Sequence, residues 1–238
     1  MLEQLDLMHQ LYPNLISSRD DVRDNNLTNN PHPLLTFEGR YLQFVKISDN
    51  PNVNEQEPQI LYTAIHHARE PASLQQLIFY MWYLLENYED SQEIRDIVNN
   101  TELYFIPCVN PDGRDRYVHF QDRTSGPTPN SSPAAWEHSE PWPGGRSNHY
   151  MFDLNRDLAW QTQIETQART TFYRKWMPHV HVDYHEQGMN SPYYFAPAAE
   201  PLHQVITPWQ RKCQEHIGGF NARAFDARGA LYFTREIF

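Results

Sequence analysis

The chain has 238 residues, 39% apolar and 21% charged, with a formal net charge of −11. That is enough apolar material for a real core in one large domain or two small ones. No apolar run reaches the roughly 20 residues of a membrane-spanning helix, and acidity spread along the chain argues against a general nucleic-acid binder, which is expected to be basic. Cys108 sits in an apolar strand-like run and Cys213 in a helix-like one, so the two thiols do not make a disulfide framework. Residues 1–6 have neither the basic start nor the apolar centre of a signal peptide.

In chain order, Leu2, Leu5, Met8 and Tyr12 recur at helical spacing before Pro13, which predicts a helix over 2–12. Residues 17–33 read as loop, Glu38-Gly39 as a turn, Tyr41 to Ile47 as a strand, and Ser48 to Pro58 as a loop. Ile60 to Ile65 is apolar nearly throughout, the pattern of a strand covered on both faces. Leu74, Leu77, Ile78, Met81, Leu84 and Leu85 form a helical stripe over about 72–88, and Ile94, Ile97 and Val98 a shorter one over 91–99. Leu103 to Val109 is a second buried-strand pattern, ending in the turn signal Asn110-Pro111-Asp112-Gly113.

Residues 114–150 are rich in Pro, Gly, Ser and Asn and read as a long loop; its aromatic residues favour a functional loop over a linker. A helix over 161–176, a strand over Val180 to Tyr184, a short strand over Tyr193 to Phe195 and a helix over 202–218 ending at Gly218-Gly219 complete the chain. Strands alternating with helices predict an α/β domain, whose chemistry gathers at the carboxyl ends of its strands.

At one such end lies Ile65-His66-His67-Ala68-Arg69-Glu70-Pro71. His67 and Glu70 form an H-x-x-E pair, an imidazole and a carboxylate brought to one side by a turn-like step of three residues. A hydrolytic zinc site adds a third protein ligand and a water. His185 is the candidate, just after a strand and before the glycine turn of Asp183-Tyr184-His185-Glu186-Gln187-Gly188. Of the competing histidines, His179 and His181 lie further inside that strand, and His66 points away from His67 in an extended segment. The helix-borne patterns H-E-x-x-H and H-x-x-E-H are absent.

The segments HHAREP, NPDG, FDLNRD and DYHEQG stand in the order found in zinc carboxypeptidases of the carboxypeptidase A and T group, which the chain resembles from His66 to Gly188. Residues 1–112 look like the carboxypeptidase T type, and the text from about Arg114 like another branch of the family. The resemblance implies a three-layer α/β fold with a mixed twisted sheet flanked by helices. It implies one Zn²⁺ per chain held by His67, Glu70 and His185, with Asn155 and Arg156 gripping a substrate's terminal carboxylate. A guanidinium offers that carboxylate a bidentate fork, and an amide adds a neutral donor. Asp153 takes the place that accepts the far N–H of His67, and Arg69 lines the path of the incoming C-terminus. Arg146 is the choice for the arginine that stabilises the oxyanion, with Arg123 as fallback.

The family's general base is a late glutamate. Glu236 comes too early to be it, Glu70 is committed to the metal, and the role of Glu186 is open. Residues 1–238 are therefore expected to be a single catalytic domain lacking its C-terminal part. The partners expected are peptide or protein C-termini, with no nucleic acid and no membrane, and a secreted or periplasmic parent is suspected. The alternatives are a zinc amidohydrolase acting on peptidoglycan peptides or N-acyl amino acids, and a non-catalytic zinc or peptide-binding fragment.

Overall fold

The computed structural model describes residues 1–21, 35–124, 126, 128–138, 144–188 and 190–235, with backbone alone for Asp21 and 120–124. They form two compact units, Met1–Glu186 and Gln187–Phe238. The first unit begins with α1 (Leu2–Leu11), β1 (Asp20–Asp21), β2 (Gln43–Ile47) and β3 (Gln59–Ala64). It continues with α2 (Pro71–Glu86), α3 (Gln92–Val98), β4 (Glu102–Ile106), α4 (Pro111–Thr124), α5 (Ile164–Trp176) and β5 (Val180–Tyr184). Its five strands lie in the order β1-β2-β4-β3-β5. β3 runs parallel to β4 and β5, while β2 pairs antiparallel with β1 and β4, so the sheet is mixed.

Side chains alternate across a strand with a period of two, and both faces of this sheet are covered. Tyr62 and Ala64 of β3 and Leu103 and Phe105 of β4 pack with Leu5, Met8, Leu77, Met81 and Leu84 of the helices on one face. Leu61, Tyr104 and Ile106 pack with Ala168 and Phe172 of α5 on the other. The apolar runs over β3 and β4 are thus two interleaved sets, each serving its own core. Each fully buried Leu or Met of the α2 stripe contributes about 1.5–3 kcal/mol of burial, which is why that helix forms on a sequence with no acidic first turn.

Two local expectations are corrected. The Asn110-Pro111-Asp112-Gly113 turn opens a helix: α4 starts at Pro111, whose missing N–H is no loss at a first helical position. Asn110 caps it by accepting from the Gly113 amide at 3.1 Å. The predicted long loop is therefore helical up to Thr124. The second correction lies in the other unit, which holds β6 (Tyr193–Tyr194), α6 (Pro208–Asp226) and β7 (Tyr232–Phe233), with β6 and β7 parallel. α6 begins at Pro208, behind a capping box of Thr207 and Gln210, and runs straight through Gly218-Gly219. Gly218 ends nothing. A Cβ there would lie 2.1 Å from the Ala196 carbonyl oxygen, so the glycine admits a close backbone approach. Among the described residues no helix is long and apolar enough to cross a membrane.

Candidate metal centre

β3 ends at Ala64, and the chain turns at once. Ile65, fully buried, takes a left-handed conformation with φ 57°. For a β-branched residue that costs on the order of 1–3 kcal/mol. The turn is held on both sides: the Ile65 amide donates to Ser73 Oγ at 3.3 Å, and Ser73 Oγ donates to the Glu70 carbonyl at 2.6 Å. This brings His67 and Glu70 back over the strand end, where both are buried.

His185 follows β5, the parallel neighbour of β3, and completes a group of three. One ligand atom each from His67, Glu70 and His185 lies within 4.8 Å of the others. His67 Nδ1 is 2.7 Å from Glu70 Oε1, and His185 Nδ1 is 2.8 Å from Glu70 Oε2. Burial opposes ionisation of Glu70, but hydrogen bonds from His185 and His67 outweigh it and hold the carboxyl down at about 2. Burial also opposes protonation of His185, and its contacts with Asp183 and Glu70 outweigh that and raise it to about 10. Two imidazoles and a carboxylate are the donor set of a catalytic zinc site. A metal there takes the place of the Nδ1 protons, the ordinary exchange at such a site. The residues fit the ion.

The FDLNRD segment lies alongside. Asp153 Oδ1 is 3.2 Å from His67 Nε2 and accepts the Asn155 amide at 2.9 Å. Its Oδ2 accepts from Arg146 Nε at 2.7 Å. One carboxylate thus meets the far nitrogen of His67, caps the short 3-10 helix Leu154–Arg156 and anchors Arg146. Burial pushes the Asp153 carboxyl up, but Arg146 and His67 hold it below its usual value. Asn155 Nδ2 lies 3.5 Å from His185 Nε2, and the exposed Arg156 donates to the Asn155 carbonyl at 3.1 Å. Arg69 is exposed, with its amide donating to the Gly145 carbonyl at 2.7 Å.

The other candidates have separate places. Glu186 accepts from the Ala72 amide in the first turn of α2, where a carboxylate suits the positive end of the helix. His179 Nδ1 accepts the Gln59 amide at 3.0 Å, and His181 Nε2 meets Thr63 Oγ1 at 2.9 Å. Burial pushes His181 down to about 4. His66 is buried with Nδ1 2.8 Å from Asp183 Oδ1, close but off the hydrogen-bonding direction, a polar contact only. Arg123 lies in α4 with only its backbone described, and Glu236 lies outside the described residues.

The NPDG segment joins the loops of the site. Asn110 Nδ2 donates to the His66 carbonyl at 3.1 Å. Asp112, fully buried, accepts from Thr36 Oγ1 at 2.7 Å and from Arg40 at 2.8 Å. A Cβ on Gly113 would fall 2.4 Å from the Ser147 carbonyl oxygen and 2.5 Å from Asn110 Oδ1. Gly113→Ala is therefore expected to cost about 1–3 kcal/mol, a fall of roughly 2–12 °C in Tm for a chain of this size. An unchanged melting curve would show that the backbone gives way there. Sequence reasoning missed this joint and also Asp183. The spacing Asp183-Tyr184-His185 carried a signal, because residues two apart on a strand share a face.

The family description "Zinc carboxypeptidase" matches residues 35–220, more than half of the chain. A zinc carboxypeptidase from Saccharothrix mutabilis subsp. capreolus is 30% identical over 135 residues, which are 52% of this chain and 31% of that protein. Carboxypeptidase D from Homo sapiens is 33% identical over 146 residues, 60% of this chain and 9% of that protein. The crystal structure of a putative carboxypeptidase from Burkholderia mallei superposes with a TM-score of 0.67 at 15% identity. It is matched by 99% of this chain, which covers 49% of it, so this chain spans about half the length of that structure. At that identity the likeness speaks for the fold alone: an α/β domain with a mixed sheet between helices. Fold and family description agree, and the chain belongs to the zinc carboxypeptidase family.

Proposed function

We propose that the chain acts in a zinc-dependent carboxypeptidase that hydrolyses the C-terminal peptide bond of peptides or proteins, residues 1–238 forming one catalytic domain. The observation that carries this reading is the convergence of His67, Glu70 and His185 within 4.8 Å, beside the Asn155-Arg156 pair. These three residues would hold one Zn²⁺ per chain. The ion, when bound, supplies Lewis-acid polarisation of the scissile carbonyl and a water acidic enough to attack it near neutral pH. Asp153 fixes the ring of His67 by accepting at Nε2. Arg156 and Asn155 take the terminal carboxylate of the substrate, and Arg69 lines its approach. Arg146, anchored to Asp153 through Nε, turns its terminal N–H groups to the oxygen that gains charge.

The test is hydrolysis of an N-acylated dipeptide with a free C-terminus, compared with its C-terminal amide, by zinc-loaded protein. Release of the last amino acid from the free acid alone is expected. Equal cleavage of the amide would remove the role of the carboxylate grip. Arg156→Ala forfeits a charged hydrogen bond of about 1.5–3 kcal/mol. It should lower kcat/KM roughly ten- to a hundredfold, with zinc content unchanged.

A further inference from the structure

Thr63 of β3 and Asp183 of β5 are register partners across a parallel strand pair. Their side chains meet, with Thr63 Oγ1 donating to Asp183 Oδ1 at 2.6 Å. A hydroxyl has one proton to give. With that proton on Asp183, the 2.9 Å contact between Thr63 Oγ1 and His181 Nε2 requires the histidine to be the donor. The other carboxylate oxygen, Asp183 Oδ2, stands 2.6 Å from His185 Nε2. The hydrogen bonds therefore converge on Asp183: His181 donates to Thr63, Thr63 donates to Asp183 Oδ1, and His185 Nε2 donates to Asp183 Oδ2. His66 Nδ1, buried against Asp183 Oδ1 at 2.8 Å, packs the carboxylate from a further side. Asn155 Nδ2, at 3.5 Å and itself a donor, does not compete for the Nε2 proton.

The same arrangement occurs at His67, whose Nδ1 faces Glu70 and whose Nε2 faces Asp153 at 3.2 Å. At His185 the carboxylate is closer, and it is held by a neighbouring strand of the sheet, whereas Asp153 sits in a loop. A carboxylate is acceptor-only when ionised, so Asp183 demands the proton on His185 Nε2 and leaves Nδ1 as the nitrogen aimed at Glu70.

We infer that Asp183 is a positioning residue of the metal centre: anchored by Thr63, it sets the tautomer and ring orientation of His185, so that this ligand meets the metal through Nδ1. Without it the imidazole can turn over and offer Nε2, and it loses the partner that raises its basicity as a ligand. The inference rests on the reading of His67, Glu70 and His185 as the zinc ligands.

The experiment is zinc affinity by chelator competition for the intact chain and for Asp183→Ala, Asp183→Asn and Thr63→Val. It is read beside far-ultraviolet circular dichroism and the proton and ¹⁵N spectra of the zinc-loaded histidines. Loss of a group that orients a metal ligand typically weakens binding about 10- to 100-fold, and that is expected of Asp183→Ala. Asp183→Asn keeps an acceptor oxygen but not the charge and should recover part of the loss. In the intact chain the His185 Nε2 proton should resonate far downfield, and in Asp183→Ala it should move upfield or vanish into exchange. A purely structural aspartate would leave that signal in place. If Asp183→Ala does not fold, Thr63→Val carries the test, since it removes the anchor at nearly constant volume and should weaken zinc binding several-fold. A folded Asp183→Ala, or in its place Thr63→Val, with undiminished affinity and an unshifted Nε2 signal overturns the inference and leaves the zinc site standing. An intact chain that takes up no zinc overturns both.

Discussion

A His185→Ala variant is expected to lose its zinc, falling from about one equivalent per chain to near none by elemental analysis. The donor set proposed for the ion is the two imidazoles and one carboxylate of His67, His185 and Glu70, whose ligand atoms lie within 4.8 Å of one another. Removing His185 leaves His67 and Glu70, only two of the three protein ligands that a catalytic zinc needs. Asp183 stands 2.6 Å from His185 Nε2 but meets the ring from the side away from Glu70, so it does not take over the vacated place. Metal binding at such a site is coupled to ligand deprotonation and folding, so the variant should also lose the stabilisation that added zinc confers on the intact chain. His185 is only partly buried and lies beyond the end of β5, outside both apolar clusters. The circular dichroism of the variant should therefore match that of the metal-free parent. Retention of one tightly held zinc would remove His185 from the ligand set and turn attention to the neighbouring group of His66 and Asp183.

The largest loss of stability is expected from Glu102→Ala. Glu102 is fully buried at the start of β4. It accepts from Lys46 Nζ of β2 at 2.9 Å, from Gln59 Nε2 of β3 at 2.8 Å, from the Tyr104 hydroxyl at 3.0 Å and from the Glu55 amide at 3.0 Å. One carboxylate therefore ties three adjacent strands together at one end of the sheet. Alanine removes it and leaves the Lys46 ammonium, itself buried, with the Val53 carbonyl as its remaining hydrogen-bond partner among the described residues. Breaking a buried ion pair from one side costs about 3–5 kcal/mol, a large share of the roughly 5–15 kcal/mol that stabilises a domain. The expected fall in Tm is roughly 6–20 °C.

Replacing both partners by apolar residues of similar size, as in Lys46→Met with Glu102→Leu, should restore much of that loss, because the desolvation of both charges disappears with them. Burial opposes ionisation of Glu102, but the Glu55 amide, Lys46 and Gln59 outweigh it and keep its pKa below the usual carboxylate value. Its ionised form is thus favoured by folding. The stabilisation is fully present above the unfolded pKa of about 4.3 and is lost as pH falls through the lower folded value. The gap in Tm between parent and Glu102→Ala should accordingly be wide at neutral pH and narrow in acid. A gap that does not change with pH would mean that ionisation of Glu102 contributes nothing.

What the amino-acid sequence determined by itself is whatever repeats locally. The apolar stripe of α2 and the continuous apolar runs of β3 and β4 identified a sheet covered on both faces, because periods of 3.6 and 2 are properties of a single segment. The placement of His67, Glu70 and His185 at strand ends was legible for the same reason, and four motifs in order pointed to the family. Helix ends were less so. Asn110-Pro111-Asp112-Gly113 reads as a turn, yet it opens α4, and Gly113 lies where a side chain would meet the Ser147 carbonyl oxygen. Gly218-Gly219 reads as a stop, yet α6 runs through it, and Gly218 leaves room for the Ala196 backbone where a side chain would otherwise be.

The partners of the buried polar groups were decided by tertiary structure alone. Thr63 and Asp183 are 120 residues apart, and His67 and Asp153 are 86 apart. The first pair meets because β5 lies beside β3, and the second because the segment holding Asp153 comes back beside His67. A buried carboxylate or imidazole must find a partner, since an unmet one is costly. Which partner it finds depends on strand order and register, and no local period in the sequence encodes those.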